Sequence, residues 1–456
     1  MNVLNRKLML LLVMLLIGGL LMVGCDLLQA ESPPEEENGE LNDGQDNGSE
    51  DPDDSETGEN GDRDETDQDD PDEEEPEVEV FTEVTITAVG DVMVHQSQLD
   101  AQYNREEDRH DFRNNFVHLK PYLEKSDINI ANLETTFAGP ERGYSSFPLF
   151  NTPDALGEGL KDAGFNIIST INNHTYDTGE QGFFRTLDIL EEQGLTPLGT
   201  RRDESEKRYV IEEVENIKVG MVGYTYETQK INGQITLNGI TIPRHMEPLM
   251  NTFHDYHQDD AIEEMSGIID DLREEGAEII VFYLHWGNEY HREPSAYQIQ
   301  LAESLSALGV DIIFGSHPHV VQPLDIISHD GHETLVVYSM GNLISNQREE
   351  TLRNYTANAQ YTEDGLMVHA TFQKSSLTKE IERTSVEYTP LWVHRSSAGN
   401  GFHYEVLPVA ETIENFEAFN ITTDALRNRI RRSLERTREM VYKNLEAFVL
   451  NSGKSE

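Results

Sequence analysis

Six short apolar runs, most of them rich in β-branched residues, each hand the chain over to a residue able to carry chemistry. Residues 84–89 lead into Gly90-Asp91-Val92-Met93, 128–131 into Asn132-Leu133-Glu134, and 167–171 into Asn172-Asn173-His174-Thr175-Tyr176-Asp177. Further on, 279–284 lead into His285-Trp286-Gly287-Asn288-Glu289, 312–314 into Gly315-Ser316-His317-Pro318-His319, and 335–340 into Gly341-Asn342. Apolar runs of this length, bounded by turn residues, read as buried strands. Together with 219–222 they alternate with helix-like stretches at 119–125, 153–163, 183–193, 261–275 and 296–308, several of them stopped by Gly164, Gly194, Gly276 or Gly309. Such alternation predicts an α/β fold with substantial parallel sheet. Stretches 366–372 and 385–394 read as antiparallel strands. The last segment, about 424–448, reads as an amphipathic helix with Leu426, Ile430 and Leu434 on one stripe, packing on the domain.

Ligands of open α/β sheets bind beyond the carboxyl ends of the strands. One Asp or His at such a place is an ordinary turn former or helix cap. Junctions that together deliver two carboxylates, an amide and four imidazoles point instead to a metal centre. Carboxylate mixed with imidazole suits Mn, Fe, Zn or Mg rather than a soft metal. Read as extended backbone, His317 and His319 are i and i+2, with both rings on one side and Pro318 restricting the backbone between them.

Charge narrows the partners. Residues 81–456 hold 60 acidic residues against 31 basic ones. That balance argues against nucleic acid, whose phosphates need Lys and Arg, and against an anionic lipid surface. It suits life in high salt, where screening weakens self-repulsion.

Two segments of another kind precede this region. Arg6-Lys7, an apolar run from Leu8 to Val23 and then Gly24-Cys25 form the n- and h-regions of an export signal. The run is near the lower length limit for a spanning helix, so an uncleaved anchor is the alternative. Cys25 is the only cysteine, which leaves no internal disulfide. Leu21-Met22-Val23-Gly24-Cys25 resembles a bacterial lipobox, in which the cysteine is diacylated. Residues 1–25 are therefore expected to be a lipoprotein signal peptide, with lipidated Cys25 tethering the protein on the extracytoplasmic face of the cell membrane. Residues 31–80 hold 25 acidic residues and one basic residue, Arg63. With almost no apolar content, 26–80 is expected to be a disordered, self-repelling acidic linker, reaching at most about 170 Å. The domain proper is expected over 81–400, with 401–456 as a C-terminal extension.

At the strand junctions the sequence resembles the CapA family of capsule-synthesis proteins, which is linked to poly-γ-glutamate and related to calcineurin-like metallophosphoesterases. The resemblance runs from about Val84 to Asn346 and includes Gly315-Ser316-His317-Pro318-His319-Val320-Val321-Gln322-Pro323 and Ser339-Met340-Gly341-Asn342. It implies a metallophosphatase-like four-layer α/β/β/α sandwich with mixed sheets. It also implies two divalent metal ions. Asp91 and His319 would ligate the first, Asn173, His285 and His317 the second, and Glu134 would bridge them. Hydrolysis would use water activated by the ions near neutral pH, with Asp91 and His174 as catalytic residues and His174 the general acid. Glu289 and Asn342 could support the ligands from behind, Glu289 through His285. Related phosphoesterases carry Asp-x-His at the first strand. Here Met93 takes the third position, His95 lies two further on, and the bridging residue is Glu rather than Asp. These features are normal for the CapA family, but they leave the first site to be weak, empty or completed from elsewhere.

Trp286 and Tyr290 read equally as substrate-stacking or core residues, and Arg292 as a candidate anion ligand. His110, His118, His245, His254 and His257 fall outside the blocks and read as surface or core. Three functions follow. One is an exported metal-dependent hydrolase or transferase acting on an anionic cell-surface polymer such as poly-γ-glutamate. The second is a non-catalytic polymer-binding or scaffold subunit working with other capsule synthesis subunits. The third is a general exported metallophosphoesterase, against which the missing Asp-x-His counts.

Overall fold

The computed structural model describes residues 78–254, 258–399 and 401–452. The expected signal peptide with Cys25, the acidic linker up to residue 77, and His257 lie outside the described residues.

Along the chain come β1 (Phe81–Val92), β2 (Ile128–Leu133), α1 (Ala155–Ala163), β3 (Ile167–Ser169), α2 (Gly179–Glu192) and β4 (Thr196–Leu198). Next are β5 (Val210–Val214), β6 (Ile217–Tyr226), β7 (Thr252–Phe253), α3 (Gln258–Glu274), β8 (Ile279–His285), α4 (Ala296–Ala307) and β9 (Ile312–Ser316). Then follow β10 (Leu324–His329), β11 (His332–Val337), β12 (Asn342–Ile344), β13 (Asp364–Ser375), β14 (Ile381–Ala398), β15 (Gly401–Pro408) and α5 (Asp424–Ser452).

They build two mixed sheets. The first has the order β15-β14-β13-β1-β2-β3-β4, with β12 also beside β1. Its half from β1 to β4 is parallel, and β13 to β15 are antiparallel. The second has the order β7-β6-β8-β9-β11-β10, with β5 against β6.

Alternation along each strand sets the layers. Val84, Ile86, Ile128 and Ile130 of the first sheet share one core with Val219, Met221, Ile279, Val281, Ile312 and Phe314 of the second. The intervening residues face outward. Ala131, Leu133 and Ile168 pack with Leu156 and Leu160 of α1. Val222, Ile280, Phe282 and Ile313 pack with Met265 and Leu272 of α3 and with Leu301 and Leu305 of α4. The result is helix, sheet, sheet, helix, the four-layer sandwich expected from the sequence. Both faces of each central strand are buried, which is why these strands read as continuous apolar runs.

The first sheet does not stop at residue 400. β15 pairs antiparallel with β14 from Leu391↔Pro408 to Ala398↔Gly401. The sheet therefore extends past the expected domain limit of 400 to residue 408. Beyond it, α5 packs Ile430 with Trp392 and Leu407. Its Met440 and Val441 enter the core between the sheets, beside Tyr388 of β14 and Ile326 of β10. Among the described residues, no helix is long and apolar enough to cross a membrane.

Candidate metal centre

The parallel register of β1 and β2 sets Asp91 level with Asn132, and β12 on the other side sets Asn342 level with Asp91. The close approach depends on Gly90. A Cβ there would stand 1.8 Å from the Gly341 carbonyl oxygen, the same oxygen that accepts the Asp91 N–H at 3.0 Å. Gly315 plays the matching part in the second sheet, where a Cβ would stand 2.1 Å from the Tyr338 oxygen. There β8 and β9 bring His285 level with Ser316.

The side chains converge on one buried site. Asp91 Oδ1 accepts from Asn132 Nδ2 at 2.8 Å, and its Oδ2 lies 3.0 Å from His319 Nδ1. Glu134 Oε1 lies 3.7 Å from His285 Nε2 and 3.8 Å from His319 Nε2. Asn173 Oδ1 is 2.8 Å from His285 Nε2. The His317 ring is 4.7 Å from that of His285 and 5.9 Å from that of His319. Two donor sets emerge, Glu134 with His317 and His319, and Asp91 with Glu134 and His285, their ligand atoms within 4.8 Å of one another. Glu134 is common to both. The sets cross the grouping that the resemblance implies, which puts His317 with His285 and Asp91 with His319.

One local expectation is wrong. His317 and His319 are not in extended backbone: φ is +96° at His317 and +56° at His319. β9 ends at Ser316, and the next residues turn. The rings come together through this left-handed turn, not through strand alternation. Such conformations cost non-glycine residues about 1–3 kcal/mol each and persist only where the surroundings over-determine them. Here the His317 N–H donates to Asp91 Oδ2 at 3.2 Å, and Tyr290 N–H donates to the Pro318 carbonyl at 2.7 Å.

His174 stands beside Asn173 with its Nδ1 2.8 Å from Asp177 Oδ2. That carboxylate oxygen also accepts the Phe150 N–H at 2.7 Å, and the Phe150 ring sits edge-on to His174 at 4.8 Å. Asp177 therefore orients the ring through Nδ1 and leaves Nε2 for other work.

The remaining candidates sort by position. Asn342 Oδ1 lies 3.2 Å from His319 Nδ1, behind that ligand. Glu289 is exposed and is not the partner of His285, because a left-handed Gly287 and Tyr290 (φ +85° and +63°) swing this segment out. His285 uses Asn132 Nδ2 at 3.2 Å and Ser316 Oγ at 3.1 Å instead. Met93 is buried outside both donor sets. His95 does not join them either. Its N–H bonds Gln98 Oε1, its Nδ1 accepts the Asn346 N–H at 3.3 Å, and its ring packs edge-on to Phe150. Trp286 is a core residue whose Nε1 donates to the Tyr338 carbonyl. The Tyr290 ring is 6.0 Å from His319. Arg292 binds no site group: it stacks on Tyr361 at 4.0 Å and donates to the Arg436 carbonyl.

The reading of single residues missed the scaffold beneath the ligands. Asn132 joins Asp91 to His285, and its Oδ1 accepts from Asn172 Nδ2 at 3.1 Å. Asn172 Oδ1 in turn accepts the His174 N–H at 3.0 Å. The Tyr226 ring lies 4.9 Å from His317. Asn132 is detectable in principle, being two residues before Glu134 on the same run.

Electrostatics test whether a metal fits. Both oxygens of Glu134 and the Nδ1 of His317 are buried with no hydrogen-bond partner. Native proteins rarely leave such groups unpaired. Burial first, then the Asp91 charge, raises the Glu134 pKa well above the ordinary value, and no cationic side chain offsets them. Burial and the neighbouring imidazoles hold His285 and His317 well below theirs, which keeps them neutral, the form that binds metal. At His319 burial works downward, but the hydrogen bond and charge of Asp91 outweigh it and raise the pKa. Two carboxylates and three imidazoles without a cation fit a divalent metal centre.

A family model described as "Bacterial capsule synthesis protein PGA_cap" matches residues 85–347, more than half of the chain. The chain belongs to this family. As a capsule synthesis family member it is 27% identical over 279 residues to the capsule biosynthesis protein CapA of Bacillus anthracis, a match covering 58% of this chain and 60% of that protein. It is 25% identical over 278 residues to the PGA biosynthesis protein CapA of Bacillus subtilis (strain 168), covering 60% and 66%. The chain thus spans less than two thirds of the length of these relatives. Among solved structures, the calcineurin-like phosphoesterase YfkN from Bacillus subtilis is similar at 14% identity and a TM-score of 0.38, over 78% of this chain and 98% of that one.

Proposed function

We propose that this capsule synthesis family member is a lipid-anchored, extracytoplasmic, metal-dependent hydrolase of phosphoesterase type. Its substrate is an anionic cell-surface polymer such as poly-γ-glutamate, or a precursor of it. One observation carries the reading: the unpartnered Glu134 oxygens and His317 Nδ1 share a buried site with Asp91, His285 and His319. Family membership supports the polymer, and Cys25 with the acidic linker supports the tether.

Asp91, Glu134, Asn173, His285, His317 and His319 would hold the divalent metal between them. Ions of the Mn, Fe, Zn or Mg type supply Lewis acidity and a water of lowered pKa when bound. This chain's own residues do the rest. Asp177 fixes the Nδ1 side of His174, so that Nε2 delivers the proton to the leaving group. Phe150 covers one side of that ring and limits water there. A cleft of about 400 Å³ lined by Arg142, Tyr144, Ser145, Leu149 and Asp177 opens on the Asp177 side of this pair.

A second reading, a non-catalytic polymer-binding subunit, is favoured by Met93 in place of a histidine ligand. Metal analysis of the full-length protein beside His317→Ala and Asp91→Ala separates the two. About two ions per chain, reduced in both variants, with hydrolysis of phosphoesters or γ-glutamyl polymer lost in His174→Ala, support the enzyme. No metal under replete conditions sinks it. Membrane fractionation of Cys25→Ala checks the anchor: release into the soluble fraction is expected.

A further inference from the structure

Arg201, just beyond β4, is 9% exposed, and its guanidinium makes one hydrogen bond, from Nη1 to Asn251 Oδ1 at 3.2 Å. Its Nε is buried without a partner. The neighbouring cations are differently placed. Arg208 shares the same amide oxygen through Nε at 3.0 Å, but it is also paired with Glu264, and Lys207 is paired with Glu275. Among the described residues no carboxylate makes an ion pair with Arg201, and Glu204 and Glu264 act on it only from farther off. Burial, then Arg208, pushes its pKa down.

The arrangement is held from beneath. Asn251 is fully buried, and its Nδ2 donates to the Arg208 and Gly223 carbonyls at 2.8 and 3.1 Å. The amide therefore turns its oxygen to both guanidinium groups and keeps them together. Between them lies a cavity lined by Pro197, Thr200, Arg201, Lys207, Arg208 and Tyr209. Two guanidinium groups drawn onto one neutral oxygen, one of them buried with no carboxylate in direct contact, are costly unless an anion completes the cluster.

We propose that this cavity is an oxyanion site, in which the guanidinium group of Arg201 takes a small tetrahedral anion of the phosphate or sulfate class. A guanidinium edge matches two oxygens of such an ion, and Arg208 and Lys207 supply further positive field. None of these residues belongs to the metal centre.

The test is thermal unfolding of the full-length protein with sodium phosphate or sulfate, against sodium chloride at matched ionic strength. A saturable rise in Tm of about 2–5 °C is expected with the oxyanions and not with chloride. Arg201→Met should abolish that rise, and it should itself unfold at a higher temperature than wild type in chloride, because it removes a buried charge with no carboxylate in direct contact. Arg201→Lys keeps the charge without the fork and should bind about tenfold more weakly. Phosphate held at the metal centre would act equally on wild type and Arg201→Met. An oxyanion response unchanged in Arg201→Met, or no difference between oxyanions and chloride in wild type, overturns the proposal.

Discussion

His174 and Asp177 form a buried pair, Nδ1 to Oδ2 at 2.8 Å, in which the carboxylate is fixed a second time by the Phe150 N–H. Asp177 Oδ2 pairs with His174 and Phe150 and with none of the metal-ligand candidates, so its removal separates orientation of the acid from metal binding. Asp177→Ala is expected to lower kcat about 10–100-fold with metal content unchanged. Phosphoester turnover and metal analysis on one preparation check this. Loss of metal together with activity would make the pair part of the scaffold.

Glu134 links the centre to pH. Its raised pKa comes from burial first and Asp91 second. A raised carboxyl contributes stability that is fully present below its unfolded-state pKa and lost as pH rises through its folded-state pKa. The metal-free protein is therefore expected to lose this contribution on going from acid toward neutral pH. Metal requires the carboxylate, so binding releases a proton and tightens over the same range. The difference in unfolding free energy between wild type and Glu134→Gln, with and without chelator, should change with pH in opposite senses. A flat difference in chelator would mean that Glu134 is already ionised in the metal-free fold.

Gly90→Ala tests how the first strand is seated. The new Cβ would meet the Gly341 oxygen at 1.8 Å, so β1 and the 339–342 segment must part. A loss of about 1–3 kcal/mol in denaturant unfolding is expected, with weakened metal binding because Asp91 moves. Wild-type stability would show that Gly341 yields freely.

Asp364 and Arg436 tie α5 to β13. Arg436 grips the buried carboxylate at 2.5 and 2.7 Å, with Ser433 Oγ at 2.6 Å. Arg436→Ala should cost about 3 kcal/mol, since it leaves Asp364 buried with too few partners. The double variant Asp364→Asn/Arg436→Met should recover much of that loss. Equal destabilisation in both would point to lost packing of the arginine stem.

The layers and the convergence of the carboxylates and imidazoles were legible because strands buried on both faces produce apolar runs, and chemistry interrupts those runs at one end. What lay hidden depends on geometry that no periodicity records. Pro318 restricts its own φ but does not announce left-handed residues on both sides. Asn132 looks like any turn amide until β1 lies beside it. The expected domain limit of 400 falls within the first sheet, and only the pairing of β14 with β15 shows it. Arg201 gave no signal at all, since the lack of a carboxylate in direct contact is visible only in three dimensions.

The central place of β1 has a consequence for biogenesis. The first strand among the described residues sits between β2 and β13, with β12 beside it, and Met440 and Val441 join the core from the last helix. Contacts so distant in sequence form slowly and late. Growing from its amino end, the chain leaves the first sheet incomplete until β13 to β15 are made. Under the proposed export of this chain, such an order of assembly is an advantage: the first sheet is not closed before translocation, and its folding waits for arrival.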